Sequence, residues 1–245
     1  MRKIILLAAL GVLVSATSAS AQATIAGGKH DLSAGSALRN SDAAINGQTC
    51  VFCHTPHGGA TTLPLWNRSA PTGAGYQLYT SSTMDAASPG GPAVGGGMSG
   101  ACLSCHDGSI AVDVLLNLGG VAKAANTTFV RQLTAEATFG TGGTGAFNIM
   151  TGGMPFMGTD LRNDHPITII YETARAVTPG DFITQAITGS KVTVGASLPL
   201  PLFGTATATA TVECASCHNP HNNSNAPFLR KSNIGSAICL SCHIK

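Results

Sequence analysis

Every cysteine in this chain falls into one pattern, Cys-x-x-Cys-His, which occurs four times. The copies are Cys50-Val51-Phe52-Cys53-His54, Cys102-Leu103-Ser104-Cys105-His106, Cys214-Ala215-Ser216-Cys217-His218 and Cys239-Leu240-Ser241-Cys242-His243. Two thiols at this spacing can add across the two vinyl groups of a porphyrin, and the adjoining histidine then meets one face of the iron. The pattern predicts covalent attachment of four haems c. Cys50, Cys53, Cys102, Cys105, Cys214, Cys217, Cys239 and Cys242 would form the thioethers. His54, His106, His218 and His243 would be the proximal ligands.

The remaining histidines number four as well: His30, His57, His165 and His221. They match the number of second iron faces, so the count predicts bis-histidine ligation with no open site. His57 follows His54 by three residues, and His221 follows His218 by three. A ligand that close cannot swing round the macrocycle to the far face of its neighbour's haem, so each must serve a different haem. The expected assignments are His57 to the haem of His106 and His221 to the haem of His243. His30 and His165 then cap the haems of His54 and His218. Its near-terminal place also lets His30 reach a haem in a neighbouring copy. Methionine is the competing axial ligand, and Met84, Met98, Met150, Met154 and Met157 are the candidates.

Other chemistries explain less. A zinc ribbon uses paired Cys-x-x-Cys but needs no adjoining histidine four times over. A thioredoxin-like site uses one such pair within a βαβ pattern, which is absent here. A disulfide scaffold suits an exported protein but leaves the four histidines unexplained. Asn67-Arg68-Ser69, Asn126-Thr127-Thr128 and Asn222-Asn223-Ser224 fit a glycosylation acceptor pattern. Trp66, Tyr76 and Tyr79 are expected to pack on porphyrin.

The order of the motifs reveals a repeat. A lone histidine (His30, His165) precedes a CxxCHxPH segment (residues 50–57, 214–221), and a CLSCH segment follows (residues 102–106, 239–243). The expected organisation is a duplicated di-haem module: a first module over 22–125, and a second over 126–245 with a β-rich insertion at about 126–212. Regular structure should be sparse, with short helices at the motifs, a few strands, and a mostly irregular chain packed on haem. Glycine and proline over 85–100 read as loop, and 138–158 also reads as loop. Apolar spacing over 110–118 predicts a short helix. Residues 167–171, 191–194 and 205–212 read as strands.

The N-terminus reads as a secretory signal peptide. Arg2 and Lys3 lead an apolar run over 4–14, and Ala19-Ser20-Ala21 offers a cleavage site. The run is too short to span a bilayer, so export without a transmembrane segment is expected. The remaining 22–245 give more chain per motif than a compact carrier needs. The formal balance is 13 Lys+Arg against 11 Asp+Glu. Loss of Arg2 and Lys3 evens it, and haem propionates make the loaded protein acidic. With no basic run either, nucleic-acid binding is excluded. Charged residues make up only 10% of the chain, against the usual quarter. Such a surface suits close contact between subunits.

The succession CxxCHTPHG, Trp66-Asn67-Arg68, CLSCHDGS, His165-Pro166-Ile167, Pro201-Leu202-Phe203 and CASCHNPH resembles the OmcE-type tetrahaem cytochromes of extracellular filaments. The likeness covers nearly the whole chain after the leader. It implies bis-histidine haems, little secondary structure and electron transfer outside the cell. It also implies polymerisation with itself, haems running through successive subunits, and a histidine of one subunit on a haem of the next. Other multihaem cytochromes and extracellular acceptors would be its partners. A soluble periplasmic shuttle is the alternative. A third class, a reductase of a small oxyanion, would need one iron with an open face or a Cys-x-x-Cys-Lys motif, and the chain has no such motif.

Overall fold

In the computed structural model, the structure describes residues 25–26, 28–33, 48–60, 63, 65–86, 91–112, 114–117, 129–130, 149–150 and 155–245. The leader, the whole glycosylation triplet at 126–128, Met154 and all of 138–154 except 149–150 lie outside these. The elements in chain order are β1 (Gln77–Leu78), α1 (Gly91–Gly96), α2 (Met98–His106), β2 (Val114–Leu115), β3 (Phe129–Val130), β4 (Asp160–Leu161) and β5 (Ile169–Ile170). They continue with α3 (Tyr171–Val177), β6 (Gln185–Thr188), β7 (Lys191–Val194), β8 (Leu200–Leu202), β9 (Thr211–Val212) and α4 (Cys214–Cys217).

Residues 91–106 are helical, where glycine content predicted a loop. The glycines are present for close packing. A Cβ on Gly100 would stand 2.2 Å from the Gly95 carbonyl oxygen, and one on Gly95 would stand 2.3 Å from that of Pro71. Only hydrogen at these positions lets α1, α2 and the 71–73 segment meet. Composition alone cannot tell glycine that bends a chain from glycine that admits a neighbour. The short helix expected over 110–118 is also absent from its described residues. Val114–Leu115 pairs antiparallel with Phe129–Val130 instead.

The strand at Lys191–Val194 forms as its alternation predicts. It is the centre of the antiparallel sheet β6-β7-β8. Val192 faces Leu202 and Val194 faces Leu200, and all four are buried. They share a core with Tyr171, Ala210 and Ile238. Each such side chain contributes about 1.5–3 kcal/mol when fully buried. The strand expected over 167–171 shortens to Ile169–Ile170, and α3 starts at Tyr171. Of 205–212 only Thr211–Val212 is strand, paired with β5.

The buried interior includes two clusters that carry motif cysteines, and two further clusters join residues before 125 to residues after 126: Ala86 with Ile169 and Ala174, and Val94 and Leu103 with Leu161. Leu32, Val51, Phe52, Val112 and Leu115 form one cluster, against which Cys53 and Cys105 pack. The sheet cluster instead carries Cys217 and Cys242. Asn67, fully buried, ties the first cluster together. Its amide NH2 donates to the Val51 and Asn117 carbonyls at 2.7 Å each, and its Oδ1 accepts the Asn117 N–H at 2.8 Å. Asn67→Ala is therefore expected to cost about 3 kcal/mol, since each stranded buried group costs about 1–3. The check is a lowered thermal midpoint of the loaded protein at unchanged haem content. This burial also overturns the glycosylation expectation at Asn67, because an acceptor must be exposed.

Candidate haem sites

Each Cys-x-x-Cys-His segment is one helical turn. The His54 N–H donates to the Cys50 carbonyl at 2.8 Å, His218 to Cys214 at 3.0 Å, and His243 to Cys239 at 2.9 Å. His106 ends α2, with Cys102 and Cys105 within the helix. Residues at i, i+3 and i+4 share one helix face, so both thiols and the imidazole of each motif emerge on one side. The turn at Cys214–Cys217 is fixed by a capping box. The Glu213 side chain accepts from the Ser216 backbone, and the Glu213 N–H donates to Ser216 Oγ at 3.0 Å.

The thiols form a sequence in space. Cys53 and Cys105 share the first cluster, and Cys217 and Cys242 share the second. Between them the Cys102 and Cys214 thiols lie near enough to influence each other's titration. Burial pushes the Cys53 and Cys242 thiols up to about 12. They are held as S–H, the form that adds across a vinyl double bond with hydrogen going to one carbon and sulfur to the other. All eight cysteines are free. Among the described residues, no group of His, Cys, Asp and Glu side chains is arranged to hold a metal ion by itself.

The imidazoles come together in pairs. Ring centroids lie 6.2 Å apart for His30 and His106, 6.2 Å for His54 and His221, and 6.4 Å for His165 and His243. An imidazole nitrogen binds a metal at about 2 Å, so two imidazoles on opposite faces of one iron have centroids about 6 Å apart. His30 Nδ1 is also buried with no hydrogen-bond partner. These observations fit haem c at the motifs.

The electrostatics agree with this fit. Burial, then the charge of His106, lowers His30 to about 4. Burial also lowers His54, His106 and His243, with His221, His218 and His165 respectively adding to the effect. A lowered imidazole stays neutral near pH 7 and keeps the lone pair that iron requires.

Main-chain carbonyls orient the proximal rings. His106 Nδ1 lies 2.6 Å from the Pro155 carbonyl oxygen and His218 Nδ1 lies 2.9 Å from that of Pro227. Donation from Nδ1–H leaves Nε2 as the free, more basic nitrogen.

The pairs differ from the expected assignments. His30 stands by His106, within its own chain. His221 stands by His54, and His165 by His243. His57 and His218 are exposed, and no aromatic ring among the described residues stands against either. The differences lie in three-dimensional chain routing, on which spacing is silent. The Met157 N–H donates to the His106 carbonyl at 2.9 Å, but its side chain packs with Val94, Leu103 and Leu161. Met150 is buried. Trp66 meets His54 edge-on at 5.7 Å. Tyr76 instead donates to Asp107 Oδ2 at 2.5 Å.

Paired thiols and an adjoining neutral imidazole on one face of a helical turn define a haem c attachment site. Several of them in one chain define a multihaem c-type cytochrome, an electron-transfer protein. A family model described as the doubled CXXCH motif matches residues 207–245, which hold the third and fourth motifs. Among curated proteins no relative matches the chain. No helix among the described residues is long and apolar enough to cross a membrane.

Spacing gave no sign of Asn67 or Arg68 as residues that hold the motifs. Arg68 is fully buried and its guanidinium reaches Ser104 of the second motif. The sequence signals at this place were the Trp66-Asn67-Arg68 triplet of the family resemblance, which gave no role, and a glycosylation pattern, which pointed the other way.

Proposed function

We propose that the chain carries four haems c, each capped by two imidazoles, and serves as the subunit of an exported, OmcE-type extracellular filament that conducts electrons. Haem iron supplies a one-electron couple when bound; the chain attaches it, caps it and excludes solvent. The pairing supports ligand sets His106 with His30, His54 with His221, and His243 with His165. The succession of thiol contacts, 53 to 105, 102 to 214 and 217 to 242, supports a haem order that follows the sequence.

Matching contacts support the duplication. His54 bridges Trp66 as His218 bridges Leu229. The Thr55 N–H donates to the Leu65 carbonyl as the Asn219 N–H does to that of Phe228. Leu65 and Phe228 both take left-handed φ, 60° and 61°.

The observation that carries the polymer is the unmatched pair. His218 has no second imidazole in its own chain, and His57, the one spare imidazole, is exposed elsewhere. His57 of one copy on the third haem of the next completes every iron and joins the copies. His57 thereby takes the crossing role that terminal position suggested for His30.

The same open face favours one other reading, a reductase using the third haem as its site. Native secreted material is expected to form filaments under negative stain, with four haems per chain and a wholly low-spin ferric spectrum. Monomers with a high-spin fraction that binds carbon monoxide or nitrite would reject the filament and support the reductase.

A further inference from the structure

Arg68 is 0% exposed. All its donors are used. Nε donates to Ser104 Oγ at 3.3 Å, and one terminal nitrogen donates to the carbonyls of Val112 at 2.6 Å and Val114 at 3.2 Å. The other donates to the carbonyls of Ser104 and Ala111 at 2.8 Å each. Among the described residues no carboxylate pairs with it, and the ion pairs they form lie elsewhere. Asp107, at the end of α2, is bound by Tyr76 and Ser109 instead. A guanidinium keeps its proton throughout the physiological range, and burying it unpaired is costly. A neutral amide could tie these loops, as Asn67 does one residue earlier. The charge therefore calls for an explanation beyond tying.

Its location supplies one. Ser104 lies between the two thiols of the second motif, and the Asn67 N–H donates to the Cys53 carbonyl of the first at 2.9 Å. We propose that Arg68 is an electrostatic tuning residue, a fixed positive charge in the dry interior between the first two haem sites that raises their reduction potentials. The proposal rests on haem binding at those motifs. Ferric iron carries one more positive charge than ferrous, so Arg68 disfavours the oxidised state. Uptake of one electron from the preceding centre relieves that repulsion, with no proton or bond exchanged.

A unit charge within about 10 Å, at an effective dielectric of about 20, shifts a one-electron equilibrium about tenfold. Tenfold is about 59 mV for such a couple.

The test is a spectroelectrochemical titration of loaded R68M, R68Q and R68K proteins, with haem content read separately by pyridine haemochrome. R68M and R68Q are expected to lower the potentials of two of the four haems, each about tenfold in ferrous-to-ferric ratio at the wild-type midpoint. R68K, which keeps the charge, should shift them less than threefold at pH 7. Neutral variants that load fully and titrate like wild type overturn the proposal, as does R68K moving as far as R68M.

Should neither neutral variant load, R68K decides by itself. Its buried amine can lose a proton, so raising the pH from about 6 to 10 should lower two potentials further than in wild type. The groups around it are carbonyls, the Ser104 hydroxyl, and Cys53 and Cys105, which no longer titrate once in thioethers. Equal pH profiles for R68K and wild type overturn the proposal. Wild-type protein without haem would instead defeat the reading of the motifs themselves.

Discussion

His57→Ala is expected to leave four haems on the chain and no filaments. His57 is exposed and packs against no aromatic ring among the described residues, so the fold should lose almost nothing; surface changes of this kind stay within about 0.5 kcal/mol. What is lost is a coordinate bond between copies. One haem in four should then become high-spin when oxidised and take up carbon monoxide when reduced. Size-exclusion chromatography and negative stain report the assembly, and the ferric spectrum reports the spin state.

His221→Ala provides the contrast. It removes the imidazole beside His54, inside the chain, so one haem should turn high-spin while polymers persist. If His57→Ala still polymerises with a low-spin spectrum, the ligand does not cross between copies. If His221→Ala also dissolves the filament, assembly depends on the general integrity of the haem sites.

Glu213→Ala should cause the largest loss of stability. Glu213 is buried and joins the start of α4 to that of α2. Its Oε2 accepts the Ser99 N–H at 3.2 Å and also the Ser99 hydroxyl, while Oε1 accepts from Thr211 at 2.7 Å. The Cys214 N–H donates to Ser99 Oγ at 3.1 Å, closing the network. Alanine strands several buried donors at once and removes the cap of α4. Each stranded group costs about 1–3 kcal/mol and a lost cap about 1, so about 3–5 kcal/mol is expected. Differential scanning calorimetry of the loaded protein checks the size. A single transition that separates into two would show that this carboxyl group couples the chain around Ser99 to the chain around Cys214. Glu213→Gln keeps part of the network and should fall between. A midpoint within one degree of wild type would show that Ser99 and Thr211 find other acceptors.

The chemistry of this chain was open to reading because it is written in local spacing. A Cys-x-x-Cys-His turn brings its groups to one side of a helix by covalent geometry alone. The alternation at Lys191–Val194 likewise sorts two valines to one face whatever surrounds them. The histidine pairs were not open in this way. His30 reaches His106, and His221 reaches His54, only because segments distant in sequence fold back on one another, and no local period records that. Gly95 and Gly100 misled for a related reason: their small size answers a neighbour distant in sequence. Arg68 and Asn67 carried no sign of burial, because two polar residues beside a tryptophan look like surface. Their partners, the carbonyls of Val51, Val112 and Ser104, belong to every residue type and leave no mark in a sequence.

The acceptors that aim the proximal rings have a practical consequence. At Pro155 and Pro227 the hydrogen bond ends on the peptide itself, not on a side group. Mutagenesis can therefore rewrite the periphery around these centres, changing solubility or attachment chemistry, without touching the atoms that steer the imidazoles. Only a change in backbone path would turn the rings, so designed variants of this conductor have wide freedom in side chain and little in loop length.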